Sequence, residues 1–399
     1  MTETGRILLG LLVVFVSAKI AAEVFERLHQ PAVVGELLVG MLIGPYTLGL
    51  VRPDIAQQTV AALGVVLLMF TVGLQTKVSD LFRVGRRALI VAALGVVLDF
   101  AVGFAFSKAM GYPLVEALFV STAIVSTSVG ITARVLAEAG LLETHAARII
   151  LAAAVIDDVF GLLVLSIVTG VGRGRVDLVS VLVAVGQAVA FIAFQLLVVP
   201  RLVRSQTHWF DRLRISYAPL TIALATMLLF AALAERVGLA AIVGAFFAGM
   251  AFAETAESYP IAQQTRPLYA FLVPFFFVNV GMRVDLNLLR SPAVLGPAIV
   301  LTVLAALSKV VGCGLGALPE GRRTALAIGF GMIPRGEVGL IVAAVGLTLH
   351  AVRPNVYAIV VLVSVLTTSL VPPFLPALFR RAGELPGPPL CDEELPCEL

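Results

Sequence analysis

Apolar residues in this chain gather in stretches of about twenty, separated by short polar loops, and do not alternate with polar ones. A helix crossing the hydrocarbon of a bilayer needs roughly 20 mainly apolar residues. Breaking the sequence at its charges and Pro/Gly loops gives thirteen such stretches: 7–27, 33–50, 60–76, 88–110, 114–139, 145–170, 177–203, 216–236, 239–256, 267–284, 292–317, 323–349 and 356–379. The pattern predicts an all-α polytopic membrane protein of about thirteen transmembrane helices. The first stretch sits where a signal peptide would. Glu3 offsets Arg6 there, and the apolar run continues past Lys19 toward Arg27, so it is expected to remain as the first span.

Two of these segments carry breaks. The fifth holds Ser126-Thr127-Ser128 before Gly130, and the twelfth holds Pro334-Arg335-Gly336-Glu337. Proline removes a helix hydrogen bond and glycine loosens the backbone. Unwound backbone survives at membrane depth only where it lines a cavity or is buried in protein. The broken segments are seven apart in order, and an odd offset reverses the direction of crossing. Segments 1–6 and 8–13 are therefore expected to form two inverted six-helix repeats, with 177–203 as connector. Interrupted segments in corresponding positions of two halves point to a transporter's binding site.

Composition agrees with a membrane setting. The 399 residues are 60% hydrophobic and 13% charged, against about 25% charged in a soluble domain. The net charge of +3 lies in short loops, which gives no reason to invoke nucleic acid. Most Lys and Arg follow odd-numbered segments, among them Lys77, Arg83, Arg86, Arg87, Arg201 and Arg204. That bias predicts the N-terminus outside and the C-terminus in the cytoplasm. Cys313 lies in an apolar run and Cys391 and Cys397 in the acidic tail, where free thiols are expected. His29, His145, His208 and His350 are scattered and offer no metal spacing.

Asp157 and Asp158 are adjacent carboxylates in the apolar run IILAAAVIDDVFGLLVLSIV, and Lys309 stands alone in another. A charge at bilayer centre costs about 2.5 kcal/mol or more, so such residues are functional candidates. Successive helix positions point about 100° apart, so the two aspartates are not equivalent ligands of one symmetric site. The pair and Lys309 look like parts of an ion or proton pathway, on which a hard cation would prefer oxygen ligands. Hydroxyls and freed carbonyls near Thr127 and Ser128 are expected to complete its shell. A bare carboxylate at this depth is costly, so it should be either protonated or ion-occupied, and that competition alone gives antiport.

The matching stretches STSVGITARVL (126–136), RIILAAAVIDDVFGLLVL (148–165), VGAFFAGM (243–250), SKVVGCGLGAL (308–318) and GMIPRGEVGLIVAAVGL (331–347) resemble the cation/proton antiporter superfamily, particularly its NapA-type bacterial sodium/proton antiporters. The resemblance runs from about residue 15 to 380. It implies one exchanger domain over 1–381, with a core bundle around 88–170 and 292–379. Dimer and scaffold parts lie around 7–76 and 216–284, followed by a short cytoplasmic tail, 382–399. It further implies a homodimer in the bacterial plasma membrane and two crossed broken helices. Asp158 matches the cation-binding aspartate and Asp157 the partner of Lys309. Thr127 and Ser128 fall at the unwound crossing, and Arg335 and Glu337 match the second broken helix. No cofactor is implied, because Na⁺ or Li⁺ and H⁺ are cargo. No nucleotide-binding regulatory domain is recognised.

On this reading, sodium weakens the Asp157–Lys309 pair, the lysine releases its proton, and two protons move per sodium. Arg335 and Glu337 compensate the half-helix ends, or simply pair with each other. Glu23, Glu36 and Asp99 are expected to be structural or dimer-side polar groups, and the Phe-rich 268–282 a scaffold surface. The plainer reading of Thr127 and Ser128 is interhelical hydrogen bonding. Of the acids and Lys309 it is an ion network bracing helices. Potassium/proton exchange by the same residues stays open, as does sodium-coupled organic-anion transport. An intramembrane aspartyl protease is disfavoured, because adjacent aspartates cannot share one water across facing helices. A passive channel would need a filter, and nothing repeats as one.

Overall fold

The computed structural model describes residues 2–28, 30–172, 178–205, 217–253, 259–283 and 291–384. The described regular structure is all helical: α1 (Glu3–Arg27), α2 (Ala32–Ile43), α3 (Ile55–Leu74), α4 (Val78–Ala109), α5 (Leu114–Val125), α6 (Val129–Glu138), α7 (His145–Gly172), α8 (Leu178–Leu197), α9 (Val199–Ser205), α10 (Ala218–Arg236), α11 (Ala241–Ala253), α12 (Ile261–Met282), α13 (Pro292–Ala317), a 3₁₀ turn (Leu318–Glu320), α14 (Arg322–Gly331), α15 (Glu337–Thr348), α16 (Pro354–Leu370) and α17 (Leu375–Ala382). Local chemistry sets several starts. Thr2 and Asp54 accept hydrogen bonds from Gly5 N and Gln57 N at the heads of α1 and α3, satisfying amides that a helix leaves orphaned. Proline stands in the first turn of α10, α13 and α16, where its missing N–H costs nothing.

Eight helical stretches of the described residues are long and apolar enough to cross a bilayer, or nine if the bent pair α16–α17 is one span. Length alone therefore gives fewer crossings than the thirteen expected. The difference lies in short apolar helices such as Ala32–Ile43 and Ala241–Ala253. At 1.5 Å per residue they reach only part of the way through. Both are lined with glycines that let them sink into their neighbours.

The helices pack in two groups. One joins α1 to α2, α2 to α12, α3 to α11 and α12, and α10 to α11. The other joins α4 to α5, α7 and α13, then α13 to α14 and α16, and α5 to α15. Between them α8 touches both α7 and α11. Without a strong hydrophobic drive between helices in lipid, small residues that allow close backbone approach carry such contacts. A Cβ at Gly73 would overlap Phe246 O, and one at Gly249 would overlap Phe70 O. Gly40 meets Val278 O and Gly281 meets Leu37 O in the same way.

Those contacts come in pairs because the halves correspond in sequence. Glu26-Arg27, Gly35, Gly40 and Val129-Gly130 recur at one offset as Glu235-Arg236, Gly244, Gly249 and Val338-Gly339. Some residues touch their own counterparts at that offset: Gly64 lies against Val273, and Asp99 against Ser308. The Phe-rich segment is not simply a surface. Phe271 is exposed, but Phe275 and Phe277 are buried, since α12 packs inward on both α2 and α3. His29, His208, Cys391, Cys397 and the rest of the tail beyond 384 lie outside the described residues.

Candidate ion-binding site

The two broken helices meet back to back. α5 stops at Val125, where Ser126 turns to an extended conformation, and α6 starts at Val129. α14 stops at Gly331 and α15 starts at Glu337. The loose strands bond across the crossing: Ser128 N donates to Pro334 O at 2.7 Å, Thr127 Oγ1 to Met332 O at 3.2 Å, and Thr132 Oγ1 to Gly331 O at 2.7 Å. Thr367 and Thr368 of α16 hold Arg335 by its backbone, accepting from its N–H at 3.3 Å and donating to its carbonyl at 2.9 Å. Backbone groups freed by the breaks are thus satisfied within protein, as membrane depth demands.

Four charged side chains converge on the same point, and all are fully buried. Lys309 Nζ of α13 lies 3.2 Å from Asp157 Oδ2 and 3.1 Å from Asp99 Oδ2. Arg335 Nη2 lies 3.0 Å from Asp99 Oδ2. Ser308 Oγ donates to Asp99 Oδ1 at 2.6 Å, and Thr127 N donates to Asp157 Oδ2 at 2.9 Å. Both cations also reach the open carbonyl end of α5: Lys309 Nζ bonds Val125 O at 2.8 Å and Arg335 Nη1 the same oxygen at 3.3 Å. Arg335 Nη2 adds Ala305 O at 3.0 Å. Positive groups therefore sit on a helix C-terminus, while Asp157 sits by the amides that lead into α6, as helix dipoles favour.

Asp158 points elsewhere. It lines a small cavity with Thr127, Ser128 and Gly336 on one side and Val65, Ile242 and Phe276 on the other. The cavity leaves about 10 Å³ for the centre of a water-sized sphere, room on the order of one water or small ion. A second space of about 40 Å³ shares Ser128, Phe276 and Gly336 and extends past Arg335 toward Arg283. A larger groove between α4, α7 and α8, about 500 Å³, has an almost wholly apolar wall and offers a cation nothing.

Most of the residues singled out in the sequence meet here: Asp157, Asp158, Thr127, Ser128, Lys309 and Arg335. The side chain of Glu337 lies outside the described residues. Two expectations change. Asp99, expected as a structural or dimer-side polar group, lies on the core side, where it pairs with both buried cations. Arg335 has its ion pair with Asp99, so pairing with Glu337 is not needed to explain it. The signals were present: Asp99 is the one charge in ALIVAALGVVLDFAVGFAF, and its position in the first half corresponds to Ser308, beside Lys309, in the second. Glu36 is buried as well, with Arg134 Nη2 3.7 Å away, whereas Glu23 pairs with Arg27 on the exposed side of α1.

Buried charges around two broken helices, in a multi-pass membrane bundle, are the setting of a transporter, and a family match gives the same class. The chain belongs to the transmembrane sodium/hydrogen exchanger family, whose model matches residues 11–381. It is 34% identical to the high-affinity Na⁺/H⁺ antiporter NhaS3 of Synechocystis, over 96% of this chain and 92% of that protein. It is also 34% identical to the Na⁺/H⁺-K⁺ antiporter GerN of Bacillus cereus, over 92% and 94%. The fold is similar to that of the sodium proton antiporter MjNhaP1 of Methanocaldococcus jannaschii, with a TM-score of 0.68 at 19% identity, covering 96% of this chain and all of that one.

Proposed function

We propose that this protein is a secondary antiporter that exchanges Na⁺ or Li⁺ for H⁺ by alternating access at Asp158. The observation that carries this reading is a single carboxylate in an ion-sized cavity, set beside a network that balances its own charges. Asp158 reaches that cavity at the crossing of the two broken helices, where a proton and a cation would compete for one carboxylate. Ser128, Thr127 and carbonyls freed at the crossing supply further oxygen ligands. Family membership and the Na⁺/H⁺ antiporter names of the relatives support the choice of ions.

The first helix group serves as scaffold and dimer face, and the second as the moving core, the two halves acting as inverted repeats. The dimer sits in a bacterial plasma membrane, with the N-terminus outside and the C-terminus in the cytoplasm. Arriving sodium draws Asp157 from Lys309, whose released proton makes exchange electrogenic, at two protons per sodium. The name of GerN, which includes potassium, favours K⁺/H⁺ exchange as the second reading.

The test uses purified protein in liposomes with an interior pH dye and an imposed proton gradient. Sodium or lithium should drive proton movement in wild type and not in Asp158→Asn, with a voltage dye reporting net charge. A response to potassium alone selects the second reading. No response to any of these cations refutes antiport.

A further inference from the structure

Asp99 does not line the Asp158 cavity, yet it is the hub of the charges behind it. Among the described side chains, Lys309 and Arg335 bring two positive charges to the crossing, and Asp157 offsets only one. The second is offset by Asp99, through contacts of 3.1 and 3.0 Å at one oxygen, while Ser308 fixes the other oxygen at 2.6 Å. All three ionic side chains of this trio are fully buried, so water screens their fields little.

We infer that Asp99 is a positioning residue for cation binding: it cancels the surplus positive charge behind the crossing, so that the Asp158 cavity admits a cation instead of repelling it. This rests on the reading of Asp158 as the cation site. Without Asp99, Asp157 must serve both Lys309 and Arg335. The cluster then carries one net positive charge within a few residues of the cavity, where the effective dielectric is far below that of water. Arg335 has the opposite leverage. Its loss leaves Asp99 and Asp157 against Lys309 alone, one net negative charge that attracts a cation. A brace that merely locks helices has no such sign, because breaking it from either side loosens the same contact.

The test is sodium affinity, measured by calorimetric titration of purified protein and as the apparent KM for sodium in liposomes. Asp99→Asn should weaken sodium binding about tenfold or more. Arg335→Gln should tighten it, and the charge-balanced double variant should return to within about threefold of wild type. If Asp99→Asn does not assemble, Arg335→Gln and the double variant still carry the sign. Weakening in both single variants, no change in Asp99→Asn, or a double variant no better than the worse single variant would overturn the inference. A wild type that binds no sodium would overturn this inference together with the proposed function. A wild type that binds while Asp99→Asn matches it overturns the inference alone.

Discussion

Replacing Gly336 with alanine puts a methyl group where Ser128 already stands. An ideal Cβ at 336 lies 2.6 Å from Ser128 Oγ, 2.7 Å from its Cβ and 3.3 Å from its Cα. Carbon atoms in contact settle at about 3.5–4.0 Å, so the Ser128 Cβ must retreat by roughly 1 Å. A hydroxyl can rotate away; a Cβ cannot. The Ser128 backbone is held by the 2.7 Å bond from its N–H to Pro334 O. The crossing itself must shift, and overpacking of this kind costs about 1–3 kcal/mol, or about 5- to 150-fold in an equilibrium constant. Ser128, Gly336 and Asp158 line one cavity, so the loss should appear in sodium affinity. Cation-triggered proton movement in liposomes, titrated with sodium, should show an apparent KM raised about tenfold. Adding Ser128→Gly removes the crowded atoms and should restore thermal stability in detergent, while sodium affinity stays low for want of the Ser128 hydroxyl. Gly314→Ala meets only Ala325 O at an ordinary 3.5 Å and serves as the silent control. An unchanged KM in Gly336→Ala, or a stability loss that Ser128→Gly does not relieve, refutes the steric account.

Three further outcomes follow from contacts away from the crossing. Gly73→Ala and Gly249→Ala each drive a methyl into a facing backbone carbonyl and should lower stability in detergent by about 2–3 kcal/mol, read by thermal unfolding, whereas Gly85→Ala meets open space and should not. Arg353→Ala strips a bidentate partner, 2.8 Å from the buried carboxylate of Glu116, and should cost about 1.5–3 kcal/mol; Glu116→Gln, which keeps a hydrogen-bonding oxygen but no charge, should cost less in the same unfolding assay. Arg134→Gln strips a buried cation both from Glu138, its hydrogen-bonded partner at 2.5 Å, and from Glu36 at 3.7 Å, and should cost about 3 kcal/mol; Glu36→Gln alone should cost less in the same assay, and an equal loss would refute Glu138 as the main partner.

The all-helical, multi-pass membrane class was the most legible layer, because runs of apolar residues declare themselves without reference to any partner. The breaks were legible too. Pro334, Gly336 and the Ser126–Ser128 cluster are poor helix formers in place, and the structure unwinds both segments there. Lys309 and Asp157 were findable because a lone charge in an apolar run needs a partner. Asp99 satisfied the same rule, yet its partners were not legible. Sequence spacing does not reveal that α4 lies along α13, so nothing adjacent in the chain linked it to Lys309. The glycine contacts were hidden for a similar reason. GELLVG and GAFFAG look alike only when one half is laid on the other, and the carbonyls they touch belong to helices far away in sequence.

The buried pair of Glu36 and Arg134 has no echo in the second half, where the corresponding positions are Ala245 and Ala343. On the proposed inverted-repeat reading, two halves with identical side chains would make the opposite-facing arrangements equivalent by a two-fold rotation, with equal energy and populated half and half. A charge pair present on one side only would lift that degeneracy and give the chain a resting preference before any ion or gradient acts on it. Glu36→Ala with Arg134→Ala would make the halves alike at this point. Distances between spin labels on α6 and α2 should then spread toward an even mixture; an unmoved distribution would show that the bias lies elsewhere.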